Sequence, residues 1–283
     1  MTVRTMLRST TGLAAALATV VAVTLAGPAA PAQAAPWDGF TASCSTASPV
    51  LEYWATGKSW AQFDALATTH FNAGRRVAQF DIEGNGITAV WQPGTGTERI
   101  RWNHDWDEFL ALDSTYFAQG LRLVDIDRDG DDWAGVWRPG SGGQFVRSGI
   151  PSWKDFENEN TVQFNRGRRL VDVVIEDDDD IAAVWRGDQG TAAEVYQYGI
   201  PATGVDENNM SEFDRVNARN KRRGYDLKIL KTHPNDSYVM AVWRHRGGSF
   251  GQSDTRYQRL ESFETFEANC RSAGRMITTI DVK

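Results

Sequence analysis

Residues 152–185 read SWKDFENENTVQFNRGRRLVDVVIEDDDDIAAVW, with Phe156 followed eleven positions later by Gly167, and Trp185 closing an apolar run. The same interval separates Phe63 from Gly74, Phe109 from Gly120, Phe213 from Gly224 and Phe263 from Gly274. Trp91, Trp137 and Trp243 are the counterparts of Trp185 after the first, second and fourth glycines, each tryptophan lying 17 to 19 residues beyond its glycine. One supersecondary unit of 46 to 58 residues therefore recurs along the chain, which is the mark of a repeat architecture.

The unit can be read residue by residue. Ser59 with Gln62, Asp105 with Glu108 and Ser152 with Asp155 have the spacing of a helix N-cap and capping box, so a short helical turn is expected at each. Trp60, Trp106 or Trp153 then shares an inward face with the Phe three residues on. Met210 and Leu260 take that place in the last two units, so the requirement is apolar bulk rather than an indole. The glycine supplies the positive φ of a helix stop. Residues 123–126 and 170–173 next read as a first strand, and 87–91, 133–137, 181–185 and 239–243 as a second. The second is apolar on both faces, as a strand buried on both sides is. Ala89, Gly135, Ala183 or Ala241 stands two residues before each Trp, where a small side chain permits close backbone approach. After a Gly-rich turn, 98–102, 144–147 and 194–197 form a third strand.

Residues 50–54 precede Trp60 as a third strand precedes the next unit, and 274–283 form a first strand with nothing after it. The two partial units are expected to complete each other. The fold expected is all-β, a tandem β-repeat, propeller-like or half-barrel, of four full units plus one composite unit, with short helical turns between units. The units start near residues 59, 105, 152, 209 and 259 of a single domain spanning 35–283.

Arg4 and Arg8, an apolar stretch over 13–26 and the small-residue site Ala32-Gln33-Ala34 make 1–34 a secretory signal. No later stretch is apolar enough to span a bilayer, so the mature chain is expected to be extracellular and free of the membrane. Signal removal takes two arginines from 30 basic residues and none from 37 acidic ones, moving the formal charge from −7 to −9. That balance argues against a nucleic-acid partner. Cys44 and Cys270, 226 positions apart, are the only cysteines. In an oxidising compartment they read as a disulfide that locks the closure; two separate buried thiols are the alternative.

The words W-x-x-F, G-x-R-L and A-x-W, as in Trp153 to Phe156, Gly167 to Leu170 and Ala183 to Trp185, resemble the bacterial tandem-repeat family whose units also form the non-catalytic N-terminal domain of polyglycine hydrolases. The resemblance covers nearly the whole mature chain and implies a secreted all-β repeat module. In those secreted peptidases the chemistry belongs to a separate β-lactamase-like domain with a Ser-x-x-Lys motif, and no serine here has lysine three residues later. The last two units depart from the pattern: Asp226 and Met276 replace the Arg, and Lys221 and Arg271 replace the second Phe found at Phe71, Phe117 and Phe164. A second resemblance, to FG-GAP-type calcium-binding propellers, rests on residues 125–130.

Five sets of side chains are weighed for chemistry. Asp125, Asp127, Asp129 and Asp131 offer oxygens for calcium, although Val136 stands where an EF-hand needs its bidentate Glu; the alternative is an acidic solvated turn. Arg76, Arg122 and Arg169 recur once per unit and offer forked donors to an anion, or else satisfy carbonyls and acids of their own unit. Trp91, Trp137, Trp185 and Trp243 read as core, whereas Trp37, Trp54 and Trp102 lie outside the pattern and are candidates for a binding surface. Gly247 to Gly251 match Gly-x-Ser-x-Gly, but in a hairpin context with no His after Ser249. His70, His104, His233 and His245 lack zinc-ligand spacing. The chain thus reads as a secreted, monomeric, non-catalytic module that binds an extracellular polymer, peptide or protein. Its alternatives are a hydrolase with a composite site and a protease-binding inhibitor.

Overall fold

A computed structural model of the chain describes residues 39–46, 52–84, 86–176, 180–201, 211–233, 238–245 and 254–282. The leader 1–34, Trp37, Met210 and the Gly247 to Gly251 motif lie outside the described residues. Ser59 caps α1 (Trp60–Asn72) in a complete capping box with Gln62. Asp105 and Ser152 accept the backbone N–H of Glu108 and Asp155 at the starts of α2 (Trp106–Ala118) and α3 (Trp153–Asn165). These helices run for 13 residues, where the capping words alone announced a short turn. They stop where expected: Gly74, Gly120, Gly167, Gly224 and Gly274 all have φ between 68° and 82°, a conformation that costs glycine little.

Each sheet has three antiparallel strands. In the first, β2 (Tyr53–Lys58) leads into α1, the chain returns as β3 (Arg75–Glu83), and β4 (Gly86–Pro93) lies between the two strands. The second sheet repeats this order as β5 (Arg99–His104), α2, β6 (Leu121–Asp129) and β7 (Asp132–Pro139), and the third as β8 (Gln144–Ile150), α3, β9 (Arg169–Ile175) and β10 (Ile181–Arg186). The fourth is β11 (Glu194–Pro201), α4 (Ser211–Arg222), β12 (Tyr225–Thr232) and β13 (Tyr238–His245). In the fifth, β14 (Asp254–Arg259), α5 (Leu260–Ser272) and β15 (Arg275–Val282) receive their middle strand from the other end of the chain, β1 (Gly39–Thr46). The strand read as the third of one unit is thus the outer strand of the next sheet.

The inner strands close a ring. β3 lies beside β6, β6 beside β9, β9 beside β12, β12 beside β15, and β15 beside β3, so the arrangement is propeller-like. Cys44 of β1 is bonded to Cys270 of α5, with 6.2 Å between their α-carbons. In the chain-entropy model a loop of that length is worth roughly 5 kcal/mol.

The doubly apolar middle strand has a simple cause. On one face of β4, Ile87, Ala89 and Trp91 pack with Phe63 of their own helix, while Val90 points the other way into the core around Phe263 and Ala42 of the fifth sheet. Likewise Val184 and Ala182 pack against Phe109 and Trp137 of the preceding sheet, and Val242 and Met240 against Phe156. The repeated Phe and the four closing Trp are almost wholly buried; removing one such Phe side chain costs about 3–5 kcal/mol. Gly135 shows why that place must be small, because a Cβ there would lie 2.8–2.9 Å from Trp137, Leu123 and Phe109.

Each inner strand carries one extra residue, at Ala78, Val124, Val171, Lys228 or Thr278, where pairing with the middle strand shifts register. A bulge reverses the alternation of side chains. Val77 and Phe80 consequently both enter the helix-side core despite their odd spacing. The residues five and seven beyond each glycine turn instead toward the neighbouring inner strand.

Candidate ligand-binding end

The positions that the bulge redirects hold two of the four acids singled out by the sequence, Asp125 and Asp127. Asp125 accepts the backbone N–H of Phe80 at 3.0 Å, and Asp127 that of Ile82 at 2.7 Å. Asp172 accepts from Ile126 at 2.9 Å, Asp281 from Thr232 at 2.6 Å and Asp81 from Val282 at 2.9 Å. Each carboxyl thus ties its inner strand to the preceding one. The constant offset, acceptor at one position and donor one residue further along the neighbour, shows the inner strands running parallel and in register. Lys231 lies among them, 3.3 Å from Asp81 and 3.7 Å from Asp281.

Burial governs the protonation of this cluster. It raises Asp125 well above the usual carboxylate range, helped by the charge of Asp172 and a hydrogen bond with it. Asp127 is also raised well, by burial and then by Asp81, against the opposing charge of Lys231. Asp281 is pushed up to about 8 by burial and Asp81, again with Lys231 opposing. Burial pulls the Lys231 ammonium down, but Asp172, Asp81, Asp127 and Asp281 outweigh it and hold its pKa well above that of a free lysine. All these side chains are buried, and a backbone N–H occupies at least one oxygen of each carboxyl, with Lys231 beside the other oxygen of Asp81 and Asp281.

Of the four candidate calcium ligands, Asp125 and Asp127 belong to this interior, whereas Asp129 and Asp131 are exposed at the β6–β7 turn, Asp131 lying 3.9 Å from Arg128. The four do not converge: among the described residues no group of three or more His, Cys, Asp or Glu is arranged to hold a metal ion.

Arg76, Arg122 and Arg169 act alike. Their Nε atoms donate to Gly96, Gly142 and Ala192 at 2.7–2.9 Å, and their Nη1 atoms to the helix-end carbonyls of Phe71, Phe117 and Phe164 at 3.2–3.4 Å. Each guanidinium lies 3.6–3.8 Å over the ring of that same Phe. Phe and Arg are two halves of one bracket between helix end and middle-to-outer loop, which explains why the fourth and fifth units lose both together. The sequence carried that signal in the paired substitutions Lys221 with Asp226 and Arg271 with Met276.

The tryptophans are also bound up in packing. Trp137, Trp185 and Trp243 donate Nε1–H to Asp113, Asn160 and Asn217, four residues past each Phe. Ala67 stands at that place in α1, and Trp91 Nε1 has no acceptor among the described residues. Trp54 meets Phe263 edge-on at 5.0 Å, and Trp102 stacks on Trp60 at 4.9 Å with the rings only 4° from parallel. Both join one sheet to the next.

With the inner strands parallel, every helix C-terminus and inner-strand start lies at one end of the ring, and every helix N-terminus lies at the other. Charge follows this division, a feature that sequence reasoning missed because only the total was counted. At the first end Arg99, Arg166, Arg222 and Arg223 are exposed and Arg75, Arg168 and Arg275 half-buried. Among the described residues three acids there are engaged: Glu98 with Arg138 at 2.8 Å, Asp188 with Arg186 at 2.5 Å and Glu194 with Arg244 at 2.7 Å. At the opposite end Asp105, Asp107, Asp129, Asp131, Asp132 and Asp155 are exposed, while Arg128 and Lys154 pair with Glu176 and Glu157. Helix-end chemistry, which draws cations to C-termini and acids to N-termini, accounts for part of this segregation. Arg99 stands on β5 rather than at a helix end, so helix ends do not account for all of it. The same arginine end presents Phe71 and Phe117, which are 39% and 37% exposed.

No protein-family model matches the chain, and no curated protein sequence matches it.

Proposed function

We propose that the protein is a secreted, non-catalytic, monomeric repeat module that binds an extracellular polymer, peptide or protein through the arginine end of its ring. One observation carries the proposal: in a chain of formal charge −7, exposed arginines and phenylalanine faces gather at one end while three acids there are already paired. Such a face raises the local concentration of an anionic partner, and loops on a rigid scaffold are suited to contact. The Cys44–Cys270 disulfide supports an oxidising compartment, and no helix among the described residues is long and apolar enough to cross a membrane. A hydrolase built on the interior acids is disfavoured by their burial and backbone engagement.

The test is retention of the purified mature chain on cell-wall polysaccharide and on immobilised extracellular proteins, compared with the Arg99→Glu/Arg222→Glu/Arg223→Glu variant. Retention lost in the variant, with an unchanged melting temperature, supports the reading. Retention of neither protein on any matrix, or equal retention of both, overturns it.

A further inference from the structure

We infer that the ligand of the arginine end is an acidic polysaccharide whose sugar rings carry carboxylates, an assignment that rests on the binding reading above. Two surface features coincide there. The first is a set of exposed guanidiniums, Arg99 on β5, Arg166 at the end of α3, and Arg222 and Arg223 at the end of α4. A guanidinium matches a carboxylate with two parallel hydrogen bonds. The second is a pair of flat apolar platforms, Phe71 and Phe117, each more than a third exposed.

These platforms are held in place. The guanidinium of Arg76 or Arg122 covers one face of the ring at 3.7 or 3.6 Å, and the same arginine is anchored to carbonyls of the loop and helix end. Little side-chain freedom remains to be lost when a partner stacks on the ring, and pre-ordering of this kind favours binding. Platforms and exposed cations share this end: Phe71 and Phe117 on the first two helices, Arg99 on β5 of the second sheet, and Arg166, Arg222 and Arg223 at the ends of α3 and α4. A chain that carries carboxylates with apolar pyranose faces between them offers partners to both kinds of group, which the duplex DNA backbone, with one charge per roughly 1.7 Å of axis, does not. The fourth and fifth units carry Lys221 and Arg271 at the platform position, so the surface changes from mixed aromatic and cationic to cationic around the rim.

The experiment titrates the full mature chain with polygalacturonate, with the same polymer fully methyl-esterified, and with inorganic polyphosphate, at two salt concentrations. The expected result is binding to polygalacturonate that weakens with salt and is lost on esterification. Arg99→Glu/Arg222→Glu is expected to weaken it at least tenfold, and Phe117→Ala several-fold. Phe117 also contacts Arg122, so a melting curve accompanies that variant. Phe117→Leu, which keeps apolar bulk without a flat face, is to show the same loss. Equal binding to the methyl ester, or polyphosphate binding indifferent to both Phe117 variants, overturns the polysaccharide assignment and leaves the arginine end as a binding surface. Capture of a protein by the wild type, abolished by Arg99→Glu/Arg222→Glu, does the same. Binding to polygalacturonate that neither variant alters overturns both readings.

Discussion

The seam between the first and second sheets and the seam between the third and fourth are built on different chemistry. At the first, Asp125 and Asp127 each take a backbone N–H from β3. At the second the same two positions hold Ile229 and Lys231, neither of which can serve as a carboxylate acceptor. Ile229, Met240 and Val242 pack there with Ile175 and Trp185, and Arg244 reaches back to the Leu170 carbonyl at 2.6 Å. Lys231 meanwhile turns to the acids of the first and fifth sheets. The fourth unit therefore gives up its own link and supplies the counter-charge that lets its neighbours keep theirs. The repeat is regular in backbone and divided in electrostatic labour.

The largest effect is expected from Lys231→Met. Removing one partner from a buried ionic cluster costs about 3–5 kcal/mol, and here it leaves Asp81, Asp127 and Asp281 facing one another. Urea unfolding at pH 8 is to show the full loss and at pH 5 a much smaller one, because protonation removes the repulsion; equal losses would mean that Lys231 acts by packing. At the apolar seam, Ile229→Ala is expected to cost about 2–4 kcal/mol with no dependence on pH. A pH-dependent loss there would erase the contrast between the seams.

Arg122→Met tests the bracket shared by the first three units. It removes several donors from carbonyls, and a loss of about 1–3 kcal/mol is expected, read as a lower urea midpoint. Unchanged stability would return the arginine to the ligand-binding candidates.

The wild-type protein should itself respond to pH. Asp281 has a folded-state pKa of about 8, and Glu52 is raised by burial to about 7. Both exceed their unfolded values, so the folded state holds more protons between about pH 4 and 8. Their contribution to stability is complete below pH 4 and is lost as pH rises through the folded values. The melting temperature is expected to fall by several degrees from pH 5 to pH 8.5, and Asp281→Asn is to flatten that slope. The smallest effect is a gain: Ala67→Asn places in α1 the acceptor that Asn160 and Asn217 provide elsewhere. One hydrogen bond to Trp91 Nε1 should add about 1 kcal/mol, and an unchanged midpoint would show that the indole is content without it.

Much of the scaffold could be read from residue spacing, because Phe, Gly and Trp perform unvarying tasks in it. The helices were underestimated for a physical reason. Beyond the Phe, α3 buries Asn160 and Gln163, so the inward stripe is polar where an amphipathic pattern would show apolar residues. The strand Gly39–Thr46 is small and polar in sequence and is not legible there as a strand: the sequence pattern puts the N-terminal spare strand at residues 50–54, and Cys44 alone ties the earlier stretch to the C-terminus. The interior acids resembled a calcium turn because a bulge at Val124 leaves no trace in composition, yet it decides which way Asp125 and Asp127 face. The charged ends were hidden in a sum, since the −7 total says nothing about which charges the topology gathers together.

The middle strand of the fifth sheet has a consequence for how the molecule is made. Among the described strands β1 leaves the ribosome first, and its partners β14 and β15 leave last. Until then it waits, and a nascent chain broken off before β15 has no way to complete the ring. The order of translation thereby acts as a proofreading step, because only a chain that extends through β15 can close the ring.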